Sequence, residues 1–516
     1  MSNTDLLNGY DMVVALSQNF LNSQLTAICQ NPNSKPPPPN QKPNYSIFDN
    51  FTIQLDPTAE AGTPAAWNSV IVTQMNSPTI AIGENNTVVL TLHITEGTVQ
   101  YVDMSAQQQT ASLANTDVSF TVNMSLAVIS DPNNLAAPQN AINQLNGFST
   151  SDFTIQFLAL EFESASMISS CDVSSPNFTK NSRQYIVLLN CLNAYLGGNS
   201  ANPYILGYPI QSVNPAETNP NLPAFAPTSC EFSTTVNADN AGLSTLNYCL
   251  MTQDRPFPTG ASSGVFDTPW LTDSSESGML TISHDVFVNG YLVPLVLPQI
   301  ADALNITGAD WTSDSAGWHL NYEDTNKNDN NGKGDLINVP KGLDYYKLYD
   351  YTISCDVSLS NVNGNMTITA DCNFDYKGEV NVQMQLTNWV KAEVTQTMTL
   401  TLTFTAGNDG KFVIIPNITK GTPNKKTQLG AAAKVGQAVV DVWNGITGGN
   451  DNPYDQLQDN LQTSENDLIA DFTNQIGADM SVLSNQFVLP AASVFNYNGL
   501  AFNSEQDMQV SIANAA

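Results

Sequence analysis

"GYDMVVALSQNFLNSQL", residues 9–25, changes its hydrophobic period halfway along. Met12 to Leu16 is an almost unbroken apolar run, the pattern of a strand buried on both faces. From Ser17 onward the apolar residues fall at Phe20, Leu21, Leu25 and Ile28, which are helical spacings. The stretch therefore predicts a strand that turns directly into a helix at a serine, a preferred N-cap because its hydroxyl accepts an orphan N–H of the first turn. The pattern returns in "GMLTISHDVFVNGYL", residues 278–292, where Met279, Leu280 and Ile282 lead to Ser283 and Val286, Phe287 and Leu292 follow. Asp285 suits the positive end of that second helix, and Pro294 and Pro298 kink or end it. Two such corners predict two pseudo-repeated halves, residues 1–270 and residues 271–516, the latter carrying C-terminal helices.

Outward from the corners, strand signals dominate. "TVVLTLHIT" at 87–95 puts Val88, Leu90, Leu92 and Ile94 on one face, and "VSFTVNMSLAV" at 118–128 does the same with Phe120, Val122, Met124, Leu126 and Val128. The longest alternating stretch runs through Val380, Val382, Met384 and Leu386, slips register near Trp389, and resumes through Met398, Leu400, Leu402 and Phe404. That slip predicts a bulge or bend between two long antiparallel strands. One side of these sheets is apolar and the other rich in Thr and Gln, so each is expected to have one wet face. The proline run at 31–43 reads as extended and solvated. Residues 431–446 read as helical, and Leu457, Leu461, Leu468, Phe472, Ile476 and Leu483 form a helical stripe expected to pack on a sheet.

The 516 residues are 41% hydrophobic, enough for a folded core, yet 16 basic and 47 acidic side chains leave a net charge of −31. Phosphate backbones are held by Lys and Arg, so nucleic acid is not an expected partner. Attraction to an anionic membrane by charge is equally unexpected. The strongest apolar run, "GYLVPLVLPQI" at 290–300, is too short to span a bilayer and carries two prolines, so stable membrane insertion is not expected. No signal-peptide pattern opens the chain, which predicts synthesis in the cytoplasm, with extracellular release requiring lysis or a dedicated route. Of seven cysteines, none forms a CxxC pair, although six fall into pairs 171/191, 230/249 and 355/372 whose spacing could place them on neighbouring strands. A reducing compartment predicts free buried thiols.

Catalytic signatures are missing. There is no GxSxG, phosphate loop or HExxH, and the three histidines, His93, His284 and His319, are not at ligand spacing. His93 and His284 read as surface or capping residues. "NYEDTNKNDNNGKGDL" at 321–336 offers Asp324, Asn326, Asn328 and Asp335 as hard oxygen ligands, but Asp329 stands where a calcium loop wants glycine and no glutamate closes it. The stretch reads instead as a solvated loop. No catalytic residue, cofactor or metal ligand is assigned.

Four segments together resemble the P47 and OrfX proteins of clostridial toxin gene clusters, members of the tubular lipid-binding (TULIP) superfamily. The opening stretch is similar to that family's start, a Gly-aromatic-Asp before an apolar strand and a helix with asparagine near its middle, with Tyr10 where tryptophan is frequent. "YILGYPI" at 204–210 followed by "PAFAPTSCEFS", "ISHDVFVNGYLVPLV" at 282–296, and "NQFVLPAASVFNYNGLAFNSEQDMQVSI" at 485–512 resemble its later segments. The resemblance implies an α+β, elongated TULIP-like fold in which curved antiparallel sheets wrap around long helices in two halves. It implies a non-enzymatic lipid-binding protein, an accessory or component of a bacterial toxin system, an insecticidal one included. Its ligand would be a lipid or fatty acid in the seam between helix and sheet, lined by Phe20, Leu21 and Leu25 in one half and Val286, Phe287 and Leu292 in the other. The alternative is a scaffold whose seam is a filled core and whose sheet edges dock companion proteins of the same cluster.

Overall fold

A computed structural model of the chain describes residues 6–30, 51–329, 345–429 and 487–514, apart from short gaps inside these ranges. The chain divides into two compact units. One comprises Met1–Val286, Asp479–Asn498 and Gln509–Ala516, and the other Phe287–Ala478 and Gly499–Met508.

In the first unit the opening apolar run forms the strand Met12–Ser17, with all six residues buried. It lies inside a six-stranded sheet ordered Pro227–Thr235, Thr245–Thr252, Met12–Ser17, Gly278–Ile282, Met508–Asn514, Phe495–Phe502; the last hairpin contributes residues to both units. Val13 and Ala15 on one face pack with Tyr10, Cys249, Met251, Phe266, Trp270 and Leu271. Thr245–Thr252 is likewise buried throughout. These two central strands are thus buried on both faces, as the unbroken apolar run of the first predicts. Loop residues near 266–271 cover the side that solvent would otherwise reach.

The same unit holds a nine-stranded sheet, with the path Phe51–Gln54, Ser69–Ile82, Thr87–Val102, Thr116–Ile129, Phe153–Glu161, Ile205–Ser212, Phe487–Val488, and with Gln108–Ser112 and Asp172–Ser174 added beside it. Here alternation holds. Val88, Leu90, Leu92 and Ile94 are buried, as are Phe120, Val122 and Met124. It breaks after Met124: Val128 is 62% exposed and Ile129 takes the inward place. The 83–87 turn carries Asn85 and Asn86 at φ 55° and 60°, the left-handed conformation that short hairpin turns require. Its tip meets the edge strand of the six-stranded sheet. Asn86 Oδ1 accepts from Thr234 N–H (3.1 Å), Thr234 Oγ1 accepts from Asn86 N–H (3.2 Å), and the same hydroxyl donates to Gly83 O (2.9 Å).

The second unit is built on a seven-stranded sheet ordered Trp311–Asp314, Gly317–Asp329, Tyr345–Val362, Asn365–Val382, Trp389–Ala406, Phe412–Lys420, with Asn424–Leu429 also paired to Trp389–Ala406. Residues 365–382 and 389–406 pair antiparallel from Met366↔Phe404 to Asn381↔Trp389 without a register shift. The expected slip falls between these two strands, and residues 383–388 lie outside the described residues. Met398, Leu400, Leu402 and Phe404 are buried, as their alternation predicts. Residues 324–329, expected in a solvated loop, continue the strand Gly317–Asp329 opposite Tyr346–Tyr351. The remainder of that stretch, and the helical stripe at 457–483, lie outside the described residues.

Cysteine placement corrects the free-thiol expectation at one pair. Cys355 and Cys372 stand directly opposite on neighbouring strands and form a disulfide. Cys230 and Cys249 also reach neighbouring strands, but Cys230 faces Leu250 and Cys249 faces Glu231. One residue out of register puts their side chains on opposite faces, and both are free thiols.

The expected long helices are not found among the described residues. The α-helices there are α1 (Gln18–Gln30), α2 (Gln139–Leu145), α3 (Arg183–Gly197) and α4 (Val293–Ala303), of 13, 7, 15 and 11 residues. None is long and apolar enough to cross a membrane.

Candidate functional site

Both serine corners form. Ser17 Oγ accepts the Phe20 N–H at 3.1 Å, and Ser283 Oγ accepts the Val286 N–H at 3.3 Å. Their strands are immediate neighbours, pairing antiparallel from Met12↔Ile282 to Leu16↔Gly278. The two corners therefore stand at opposite ends of one strand pair. The second copy departs from the α-helix that its sequence suggests: Asp285–Leu292 is a π-helix that runs into α4. With i→i+5 bonding, the α-helical spacing used to align the two copies does not apply there.

The Gly-Tyr-Asp before the opening strand has a role at each position. Gly9 adopts φ +87°, a region that favours glycine, with Pro258 packed against it. The Tyr10 hydroxyl donates to the Glu231 carboxylate. Asp11 is buried, accepts from Thr252 N–H (2.7 Å) and Thr252 Oγ1 (2.8 Å), and pairs with Arg255 (2.9 Å). Burial raises its carboxyl above the usual range, while the Thr252 bonds and the Arg255 charge pull in the other direction.

Helix α1 lies against Ser69–Ile82, at an edge of the nine-stranded sheet. Phe51–Gln54 covers that edge only along residues 69–72. Farther along, Asn22 Nδ2 donates to Ile80 O (3.0 Å), Asn22 Oδ1 accepts from Ile80 N–H (2.7 Å), and Gln18 Oε1 accepts from Ile82 N–H (2.8 Å). Residues 18 and 22 are one helical turn apart and share a face. Two side-chain amides thus supply the bonds of a missing strand.

All six seam candidates are buried: Phe20 4% exposed, Leu21 1%, Leu25 3%, Val286 1%, Phe287 1% and Leu292 0%. Phe20, Leu21 and Leu25 are together on α1 in the first unit. Val286 belongs to that unit as well, whereas Phe287 and Leu292 belong to the second, where the Phe287 ring lies 6.1 Å from Tyr291 and 5.8 Å from Phe502. Periodicity did not single out Gln18, because a glutamine on a helix reads as a solvated face. Asn22 was signalled by the asparagine of the resembling helix, without a role. Tyr248 was not signalled at all, since its strand, Thr245–Thr252, is buried throughout and no periodicity marks one residue in it.

His93 bridges Thr79 Oγ1 (2.9 Å) and Asp117 Oδ1 (2.8 Å) across three strands. Hydroxyl, imidazole and carboxylate fall in the order of a hydrolase relay, but the carboxylate of such a relay is buried and the Asp117 side chain is 54% exposed. The group ties the strands together on their polar face.

A two-unit antiparallel β protein, with two serine-capped corners on one strand pair and a sheet edge of the first unit closed by a short amide-bearing helix, is the class that these features define. P47 of Clostridium botulinum E1 has this fold: the two chains match over 98% of this one and 99% of that one, at 12% identity and TM-score 0.51. P47 from Clostridium botulinum A2 matches at 11% identity and TM-score 0.47, covering 99% and 98%, and a lipopolysaccharide binding protein at 10% identity and TM-score 0.28, covering 98% and 99%. These two lower scores add nothing to the fold assignment. No family model matches the chain, and no curated protein matches it in sequence.

Proposed function

We propose that the chain is a non-enzymatic lipid-binding protein that serves as an accessory or component of a bacterial toxin system. The observation that carries this reading is the apolar lining that α1 presents in the first unit. Phe20, Leu21 and Leu25 turn inward, while Gln18 and Asn22 fix the helix to a sheet edge. An acyl chain in such a seam would gain about 0.8 kcal/mol per buried methylene. The fold in common with a clostridial P47, together with the four resembling segments, supports the toxin-cluster setting. Native mass spectrometry and lipid extraction of the purified chain test it, and co-purifying acyl lipid or uptake of a fluorescent phospholipid is the expected result. A chain that carries no lipid and takes none up refutes the binding function.

One observation favours a second reading, a scaffold with a filled core that docks companion proteins: none of the six seam candidates is more than 4% exposed. Leu21→Trp separates the two. In an open seam the indole fills the space, blocks lipid uptake and leaves the melting temperature nearly unchanged. In a filled core it overpacks and destabilises by about 1–3 kcal/mol, with whatever lipid uptake exists unaltered.

A further inference from the structure

Tyr248 lies inside the six-stranded sheet of the first unit, opposite Val14 on one neighbouring strand and Phe232 on the other. Along its own strand the side chains on the same face are Leu246 and Leu250, both buried. The Phe487 ring stands edge-on to it with centroids 4.5 Å apart. The hydroxyl reaches Gly207, where any Cβ would collide with it. Glycine at 207 thus makes the space that the phenol tip occupies.

That hydroxyl is fully buried and has no hydrogen-bond partner among the described residues. Folded interiors pair nearly all such groups, because an unmade buried hydrogen bond costs the full desolvation of the donor. Beside it the ladder is irregular: the pairing of Ile205–Ser212 with Phe153–Glu161 shifts register between Leu158 and Ala159, and Leu158 is the partner of Gly207. Irregularities of this kind recur next to functional sites. Among the described residues no Lys or Arg is buried, so a carboxylate brought to this buried hydroxyl would lack a buried counter-charge. An ester carbonyl or an alcohol would accept the hydrogen bond without that penalty.

We propose that the Tyr248 hydroxyl, whose position Gly207 makes possible, is the hydrogen-bond donor for an uncharged oxygen of a bound acyl lipid. The inference rests on the lipid-binding reading and names its ligand class, acyl esters or alcohols in preference to fatty-acid anions.

The test titrates the purified full chain with methyl palmitate, and with palmitate at alkaline pH, each in competition against a fluorescent acyl probe. The wild type is expected to bind the ester more tightly than the anion. Tyr248→Phe keeps the ring and removes only the donor. It is expected to stay folded by circular dichroism, to melt no lower than the wild type, and to bind the ester about tenfold more weakly, the scale of one hydrogen bond. Equal ester affinity in wild type and variant overturns the proposal, as does a wild type that prefers the anion. If the wild type binds neither compound, the lipid-binding reading itself fails and this inference fails with it.

Discussion

Asn22 shows how one side chain can replace a strand. Its amide has a donor and an acceptor spaced like those of a peptide group, and both meet Ile80. Asn86 makes a related exchange with Thr234. Removing such a partner leaves backbone groups unsatisfied, at about 1–3 kcal/mol for a buried group. Ile80 is 2% exposed, so water is a poor replacement. Asn22→Ala is accordingly expected to destabilise the first unit by an amount in that range, read as a lower urea midpoint with the slope of the transition unchanged. An unmoved midpoint would show the amide to be dispensable.

At the scale of elements, the strands Tyr345–Val362 and Asn365–Val382 bring Cys355 and Cys372 together at a sequence separation of 17. A loop of that size contributes about 3 kcal/mol by restricting the unfolded chain. Urea unfolding of the reduced chain should show the seven-stranded sheet destabilised by about that amount, with an earlier transition, and coincident curves with and without dithiothreitol would argue against the bond. The disulfide also marks what sequence reading could reach. Period-2 alternation identified Val88 to Ile94 and Met398 to Phe404 because one buried face imposes it directly, and Ser17 and Ser283 were legible as caps because a cap is a local bond. The Cys355–Cys372 pairing, the outward turn of Val128 and the π-helix at Asp285–Leu292 depend on register, which side-chain type does not encode. The contact of Tyr248 with Gly207 was hidden for another reason: it joins two strands that are each unremarkable alone.

On the scale of the whole molecule, the nine-stranded sheet lies in the first unit and the seven-stranded sheet in the second, and the fold is that of a clostridial P47 at 12% identity. The antiparallel pairing of the two corner strands has a consequence for how the chain is made. Met12–Ser17 is sandwiched between Thr245–Thr252 and Gly278–Ile282, so an emerging polypeptide has no home for its first strand until more than two hundred further residues exist. At ribosomal elongation rates that interval is on the order of 10–50 s. The neighbour of Gly278–Ile282 on the other side, Met508–Asn514, is translated later still. Throughout that wait "MVVALS" is an unpaired apolar β segment, a sticky edge by composition. Vectorial synthesis therefore gives this sheet no early nucleus at its own N-terminus, and chaperone occupancy of nascent residues 12–17 is the burden that the topology places on the cell.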